Sequence, residues 1–244
     1  MDHEKTTRLD GSYDVVFRDG VTKISQGAFC GCTGLTKVII PEGVTVIGWY
    51  AFCNCTGLAE VSIPGSVLDI CPHAFEGCTG LRKVTIPEGV KGIFSCAFEG
   101  CTGLTEVLMP RSVNFLDRDA FRNCTGLTKV TFSMGVTEIG EDAFQGCTGL
   151  REVLIPSSVK KIGEDAFGGC TGLRSVICPR HISLTIPGLR QSRLTIRDLP
   201  HIPGLRESLL VIIFGCQKSG LPRELIIIII EKLINTNYMW LVTQ

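Results

Sequence analysis

Net charge, long apolar runs and a secretory signal are all missing from this chain of 244 residues. Its 24 basic and 24 acidic residues cancel, so there is no general electrostatic attraction to nucleic acid or anionic lipid. No apolar run reaches the roughly 18 residues that a membrane-spanning helix needs. The start of the chain is polar up to Val15 and lacks the apolar stretch of a signal peptide. These absences predict an intracellular, cytoplasmic protein without a membrane span.

Residue patterns for catalysis are missing as well. The four histidines, His3, His73, His181 and His201, share no spacing with carboxylates or cysteines. The sequence contains no glycine-rich phosphate loop, nucleophile elbow or metal-binding histidine pair. We therefore expect a protein that is not an enzyme, uses no cofactor or metal and binds no nucleic acid.

What the sequence has in abundance is a repeat. Ala-Phe and Cys-Thr-Gly-Leu each recur seven times at a step of 23 residues, without insertion or deletion. This period lies within the range of 20–29 residues that is typical of leucine-rich repeats. One such unit cannot bury its apolar side alone, whereas stacked units can, because each strand pairs with the next.

The last complete unit shows how a coil is built. Val153 and Ile155 share one face of a short strand, and Ile162 belongs to a second apolar pair on the far side. Asp165 is expected to cap one helical or 3₁₀ turn. The residue before each Cys-Thr-Gly-Leu is always Gly or Asn, the two types that best tolerate the positive φ of a turn.

The motif A-F-x-G-C-T-G-L-x-x-V-x-I-P-x-G-V-x-x-I closely resembles the BspA-like class of leucine-rich repeats. The repeat and the resemblance together predict a right-handed leucine-rich-repeat solenoid, α/β or mainly β, with seven parallel strands between Leu35 and Cys178. Turns or short 3₁₀ elements are expected on the other face. The resemblance implies adhesion or partner binding, with cell-surface examples in bacteria and protists.

The repeat also divides the chain. We expect an N-terminal tail at 1–16 with little capping function, the repeat array at 17–178, a Pro/Arg-containing linker or degenerate coils at 179–204, and an apolar C-terminal cap at 205–244. Residues 221–225, followed by Ile229 and Leu233, are similar to the opening of an F-box. A ubiquitin-ligase adaptor and a surface adhesin are therefore the alternatives to a protein-binding scaffold.

Cysteine is frequent, with 13 residues, and seven of them occupy one repeat position. We predict a buried, reduced and metal-free ladder of free thiols, formed by Cys32, Cys55, Cys78, Cys101, Cys124, Cys147 and Cys170. Cys30 and Cys53 fill a neighbouring position that is predicted to face solvent. A zinc site shared by the two Cys-x-Cys pairs is disfavoured because the members of each pair point apart. A disulfide between Cys30 and Cys53 is allowed by geometry but disfavoured in a reducing compartment.

Two surface features could bind an unknown protein partner, whereas the oligomeric state is left open. The outward positions of the strands carry exposed apolar side chains at Ile39, Leu108, Leu154 and Ile177. Beside them, charges alternate in sign over six rungs from Lys37 to Glu152, which we interpret as a register lock. At the turn before Ala-Phe, early units carry the aromatic residues Trp49, Tyr50, His73 and Phe94. These residues could anchor a partner or pack under the N-terminus.

Overall fold

The computed structural model describes residues 3–8, 10–18, 20–178 and 195–198. The chain divides into one unit of residues 1–199 and another of residues 200–244, and the described residues belong to the first. The predicted apolar cap, the F-box-like segment and most of the predicted linker lie outside them. Within the described residues no helix is long and apolar enough to cross a bilayer.

Two sheets wind through this solenoid, one on each side. The first has ten strands, in the order β1 (His3–Thr7), β2 (Tyr13–Phe17), β4 (Leu35–Ile39), β6 (Glu60–Ser62), β8 (Lys83–Val84), β10 (Glu106–Met109), β12 (Lys129–Phe132), β14 (Glu152–Leu154), β16 (Ser175–Cys178) and β17 (Thr195–Asp198). The second has seven two-residue strands, β3 (Lys23–Ile24), β5 (Val46–Ile47), β7 (Asp69–Ile70), β9 (Gly92–Ile93), β11 (Phe115–Leu116), β13 (Glu138–Ile139) and β15 (Lys161–Ile162).

The seven parallel strands predicted between Leu35 and Cys178 are confirmed as β4 to β16 of the first sheet. The second sheet was not predicted, since turns or 3₁₀ elements were expected there. It forms because the unbroken period places equivalent residues of successive coils side by side, as where Phe115 is paired with Glu138 and Leu116 with Ile139. Each coil is thus held to the next on both sides.

The residues before Phe17 are not simply a tail. β1 and β2 form an antiparallel hairpin, and β2 continues the first sheet by pairing in parallel with β4. Val15 and Phe17 are buried, and the Phe17 ring meets Phe29 edge-on at 5.7 Å. β2 therefore extends the buried core beyond the first coil, a role that the sequence analysis did not assign to it.

Two residues in each coil adopt left-handed backbone conformations. The position before Cys-Thr-Gly-Leu has the predicted positive φ in all seven coils, between 56° and 73°. The position before Ala-Phe does so too, at Gly27, Tyr50, His73, Cys96, Asp119, Asp142 and Asp165. Asp165 has a φ of 47°, whereas a residue that caps a helix has an extended backbone. The prediction that Asp165 caps a helical turn was therefore wrong.

Phenylalanine rings form the centre of the core. The Phe side chains of the seven Ala-Phe pairs, from Phe29 to Phe167, stack at centroid distances of 5.1–5.4 Å with interplanar angles of 3–7°. Such small angles mean that neighbouring coils are tilted very little relative to one another. The register of the first sheet places equivalent outward side chains of successive coils side by side, in rows.

Candidate functional site

The cysteine ladder lies inside the solenoid. Cys55, Cys78, Cys101, Cys124, Cys147 and Cys170 are buried, whereas Cys32, in the first coil, is half-buried. Each of the six buried thiols donates a hydrogen bond of 3.0–3.1 Å to the carbonyl oxygen of a phenylalanine in the preceding coil, such as Phe75 for Cys101. Burial raises the pKa of Cys55 and of Cys170 to about 12, so these thiols stay protonated at neutral pH.

Cys53 does not face solvent, and the prediction that it does was wrong. Cys30 is exposed, but Cys53 is only 5% exposed. The Asn54 amide donates to its sulfur at 3.3 Å, and a carboxylate oxygen of Glu76 in the next coil lies 3.9 Å away. Burial, together with the charge of Glu76, raises the pKa of Cys53 to about 12.

Metal binding finds no prepared site in the described part of the chain. No group of three or more His, Cys, Asp or Glu side chains there is arranged to hold a metal ion. The cysteines of these residues, including Cys30 and Cys53, are all free thiols.

The four apolar residues of the sheet face do not form one continuous stripe. Ile39 and Leu108 are 42% and 49% exposed, whereas Leu154 and Ile177 are half-buried and lie side by side. Ile39 has a neighbour that the sequence analysis missed, because Val16 of β2 is paired with it and is 45% exposed. The alternating residues of 13–17 could have revealed this strand.

The alternating charges occupy one straight row beside these residues. Strand pairing sets each Lys of the row next to a Glu of the neighbouring strand, as the register of β4 to β14 shows. Lys37 Nζ lies 3.1 Å from a Glu60 carboxylate oxygen. Asp14 is paired with Lys37 in the sheet and extends the row by one charge. The row thus alternates in sign over seven strands.

Aromatic side chains meet at the turns of two early coils. Trp49 and Tyr50 are 52% and 36% exposed, and the Tyr50 ring stacks on His73 at 4.5 Å with an interplanar angle of 8°. His73 Nδ1 lies 2.8 Å from a Glu76 carboxylate oxygen. Phe94 is half-buried and meets Phe115 of the second sheet edge-on at 5.3 Å. We call Trp49, Tyr50 and His73 the aromatic patch.

The same turn in later coils is built from charged groups. Asp119 is 7% exposed, and its two carboxylate oxygens accept hydrogen bonds from Arg118 at 3.1 Å and Arg122 at 3.0 Å. The Asp142 carboxylate accepts a hydrogen bond of 2.6 Å from the Gln145 amide. The carboxylates of Asp119 and Asp142 are thus hydrogen-bonded within these later turns, whereas the aromatic patch leaves two large rings in contact with solvent.

Residues 12–128 and 116–187 match the BspA type leucine-rich repeat region, with 6 copies. The chain belongs to this family. The family assignment agrees with the parallel strands and the 23-residue coils of the structure. A search among curated proteins found no match.

Solved structures that resemble the chain are bacterial leucine-rich repeat proteins. A leucine-rich cell surface protein of Faecalibacterium prausnitzii is 27% identical, with a TM-score of 0.45 and coverage of 76% of this chain and 65% of its own. The pneumococcal vaccine antigen PcpA is 24% identical, with a TM-score of 0.53 and coverage of 73% and 48%. The leucine-rich repeat protein of T. pallidum is 22% identical, with a TM-score of 0.36 and coverage of 86% and 92%. The likeness to PcpA supports the fold alone. This chain spans less than two thirds of the length of the first and second of these proteins.

Proposed function

We propose that the chain is a non-enzymatic scaffold that binds a protein partner through the aromatic patch. The observation that carries this proposal is the backbone of Tyr50 and His73, whose φ values are 56° and 60°. A left-handed conformation costs a residue with a Cβ about 1–2 kcal/mol. The equivalent position holds Gly27 in the first coil, Cys96 in the fourth and aspartate in the last three. Glycine, aspartate and histidine tolerate this conformation better than tyrosine does.

Folding alone therefore favours glycine or aspartate over tyrosine at position 50. Tyr50 instead combines an unfavourable backbone conformation with a ring stacked on His73, next to the exposed indole of Trp49. Unfavourable backbone conformations tend to persist where function requires them. Exposed Trp and Tyr side chains are the residue types that most often dominate the binding energy of interfaces.

We propose an intracellular location for this scaffold. The support is chemical, since the described cysteines are free thiols, as is usual in reducing compartments. Protease added outside intact cells should leave the chain uncut. Degradation under these conditions would instead favour a surface adhesin.

Site-specific photocrosslinking tests the binding surface. A photoreactive phenylalanine replaces Trp49 in one variant and Glu141, the equivalent residue four coils later, in a matched control. We expect crosslinks to a discrete protein only from position 49, and their loss when Tyr50→Asp is added. Tyr50→Asp introduces the residue type found at Asp142 and should leave the folded state intact by circular dichroism. Equal crosslinking from both positions would contradict the proposal.

A further inference from the structure

We propose that the outward face of the first sheet binds a second copy of this chain, in a two-fold dimer whose axis runs parallel to the strands between β8 and β10. The row of alternating charges and the neighbouring row of outward residues would then each face the same row of the partner, in reversed order. This surface lies on a different side from the aromatic patch, so the inference is independent of the proposed function.

The charge row is complementary to its own reverse. Rotation about this axis places the first strand of the row opposite the last, the second opposite the last but one, and so on. Every Lys of the row then faces a Glu, and Asp14 faces a neutral serine. The facing residues are Asp14 with Ser175, Lys37 with Glu152, Glu60 with Lys129, and Lys83 with Glu106.

The neighbouring row of outward residues is also complementary to its own reverse, although its residues follow no simple alternation. Its two outermost residues at each end are aliphatic, and three of its four central residues carry hydroxyl groups, the fourth being Leu108. Under the same rotation, the facing residues are Val16 with Ile177, Ile39 with Leu154, Ser62 with Thr131, and Thr85 with Leu108. Aliphatic residues thus face aliphatic residues in two of these four pairings, and hydroxyl faces hydroxyl in a third.

The charges select this axis over the other two-fold arrangement of two facing sheets. An axis parallel to the stack of coils would keep the order of the strands, so that each Lys or Glu of the row would face its own copy. Like charges brought together in this way disfavour association. The strand-parallel axis is also central in the sheet, because β8 and β10 are the fifth and sixth of its ten strands.

The face is long enough for such contact. The strand register aligns the two rows from β2 to β16, and neighbouring coils are tilted very little, by 3–7° between stacked phenylalanine rings. Eight strands about 4.8 Å apart extend over roughly 34 Å. With a width of about 15 Å, two such faces bury on the order of 1,000 Å², the lower limit for a specific interface. We therefore expect a weak, reversible dimer with a dissociation constant in the micromolar range.

The alternation could instead serve only to hold the strands of one chain in register, as the Lys37–Glu60 ion pair does. The double variant Lys83→Glu/Glu106→Lys separates these two roles. Within one chain it places a glutamate at position 83 beside Glu60 and a lysine at position 106 beside Lys129. These like-charge contacts weaken the register lock. In the dimer, however, position 83 still faces position 106 with opposite charge.

Sedimentation velocity of the full chain, at increasing concentration and about 0.05 M salt, provides the measurement. We expect the wild type to dimerise, and either single variant, Lys83→Glu or Glu106→Lys, to weaken association at least about tenfold, since each creates two like-charge contacts. An equimolar mixture of the two single variants should associate again, because each reversed residue then faces its complement. The double variant should associate as the wild type does.

Circular dichroism and thermal unfolding of each variant show that the fold is retained. A wild type that stays monomeric up to about 0.5 mM would overturn the proposal. So would single variants that associate as strongly as the wild type, or a mixture and a double variant that both fail to recover association. Trp49→Ala should dimerise normally, which keeps this test separate from that of the aromatic patch.

Discussion

At the scale of single residues, the reactivity of a thiol depends on the side chains that neighbouring coils place over it. Cys30 lies in the first coil and is exposed, whereas Cys53, at the same repeat position, is buried beside Glu76. Alkylation follows the thiolate and its accessibility. We therefore expect iodoacetamide at pH 8 to label Cys30 first and half-buried Cys32 next, with Cys53 and Cys101 protected in the native state.

Mass spectrometry of peptides taken over time measures this order. Labelling in denaturant is the control, since all thiols should then react at similar rates. If Cys53 is alkylated as fast as Cys30 in the folded protein, the burial described for Cys53 is incorrect.

The thiol of Cys101 is a hydrogen-bond donor as well as a core side chain. It donates to the Phe75 carbonyl at 3.1 Å, an acceptor that a hydroxyl at this position could also reach. Because serine can use the same acceptor, we expect Cys101→Ser to lower the free energy of unfolding by about 1 kcal/mol. Cys101→Ala, which loses the donor and leaves a small void, should cost about 1–2 kcal/mol.

Urea denaturation of the two variants beside the wild type measures these differences. A loss of about 3 kcal/mol or more for Cys101→Ser would indicate an unsatisfied buried hydroxyl. That outcome would contradict the donor role of the thiol.

At the scale of the repeated element, the glycine of Cys-Thr-Gly-Leu sets how closely two coils approach. A Cβ built on Gly103 would lie 2.5 Å from the Thr79 carbonyl oxygen of the preceding coil. Gly34, at the same position of the first coil, has its nearest such neighbour, the Gly11 carbonyl oxygen, at 3.2 Å. Gly103→Ala forces the backbones of two coils apart and should lower the free energy of unfolding by about 3 kcal/mol. Gly34→Ala should lower it by about 1 kcal/mol or less.

Thermal unfolding of these two alanine variants measures the contrast. Equal destabilisation at both positions would show that the loss of glycine itself, and not the close approach of coils, is responsible.

The same comparison of coils shows what could be predicted from the sequence. The strict period determined which residues stack, so the strands of the first sheet and the positive φ before each Cys-Thr-Gly-Leu followed directly. Strand pairing on the second side did not, because two-residue strands such as Lys161–Ile162 have no alternation to detect. The burial of Cys53 was missed since it depends on the lengths of side chains in adjacent coils, which a position-by-position alignment ignores.

The repeat positions predicted only some of the surface features. Repeat positions identified Trp49, Tyr50 and His73 as neighbours in adjacent coils, but the stacking of Tyr50 on His73 depends on their left-handed backbone. Phe94 was grouped with them because it lies in an equivalent turn. It lies one position before that of Trp49 and two before that of Tyr50 and His73, and its ring meets Phe115 of the second sheet.

At the scale of the whole molecule, the repeat has a second period of two coils. The backbone N–H groups of Gly43 and Gly89 each donate a hydrogen bond of 3.0 Å to a serine hydroxyl in the next coil, Ser66 and Ser112 respectively. Glycine and serine thus alternate at this position, in step with the alternation of lysine and glutamate on the first sheet. Odd and even coils are therefore not equivalent neighbours.

This non-equivalence makes a prediction about removing whole coils. Deleting residues 64–86 removes one coil and sets Glu60 beside Glu106 and Gly43 beside Gly89, which loses a hydrogen bond and creates a like-charge contact. Deleting residues 64–109 removes two coils and sets Glu60 beside Lys129 and Gly43 beside Ser112, a serine again. In a repeat protein, stability is approximately the sum of coil and nearest-neighbour terms. The removal of each coil should therefore lower the free energy of unfolding by the same amount. Only the single deletion should lower it further, by about 1–2 kcal/mol.

Equilibrium denaturation of both deletion proteins, at concentrations low enough to avoid self-association, measures the two losses. We expect the single deletion to lower the free energy of unfolding by clearly more than half of the loss caused by the double deletion. If the single deletion loses only half as much free energy of unfolding as the double deletion, the contacts of odd and even coils are interchangeable. The alternation would then have no bearing on the stability of the solenoid. Reversing Glu106 to Lys in the single deletion is a control that should recover nothing, because it only moves the like-charge contact from Glu60 to Lys129.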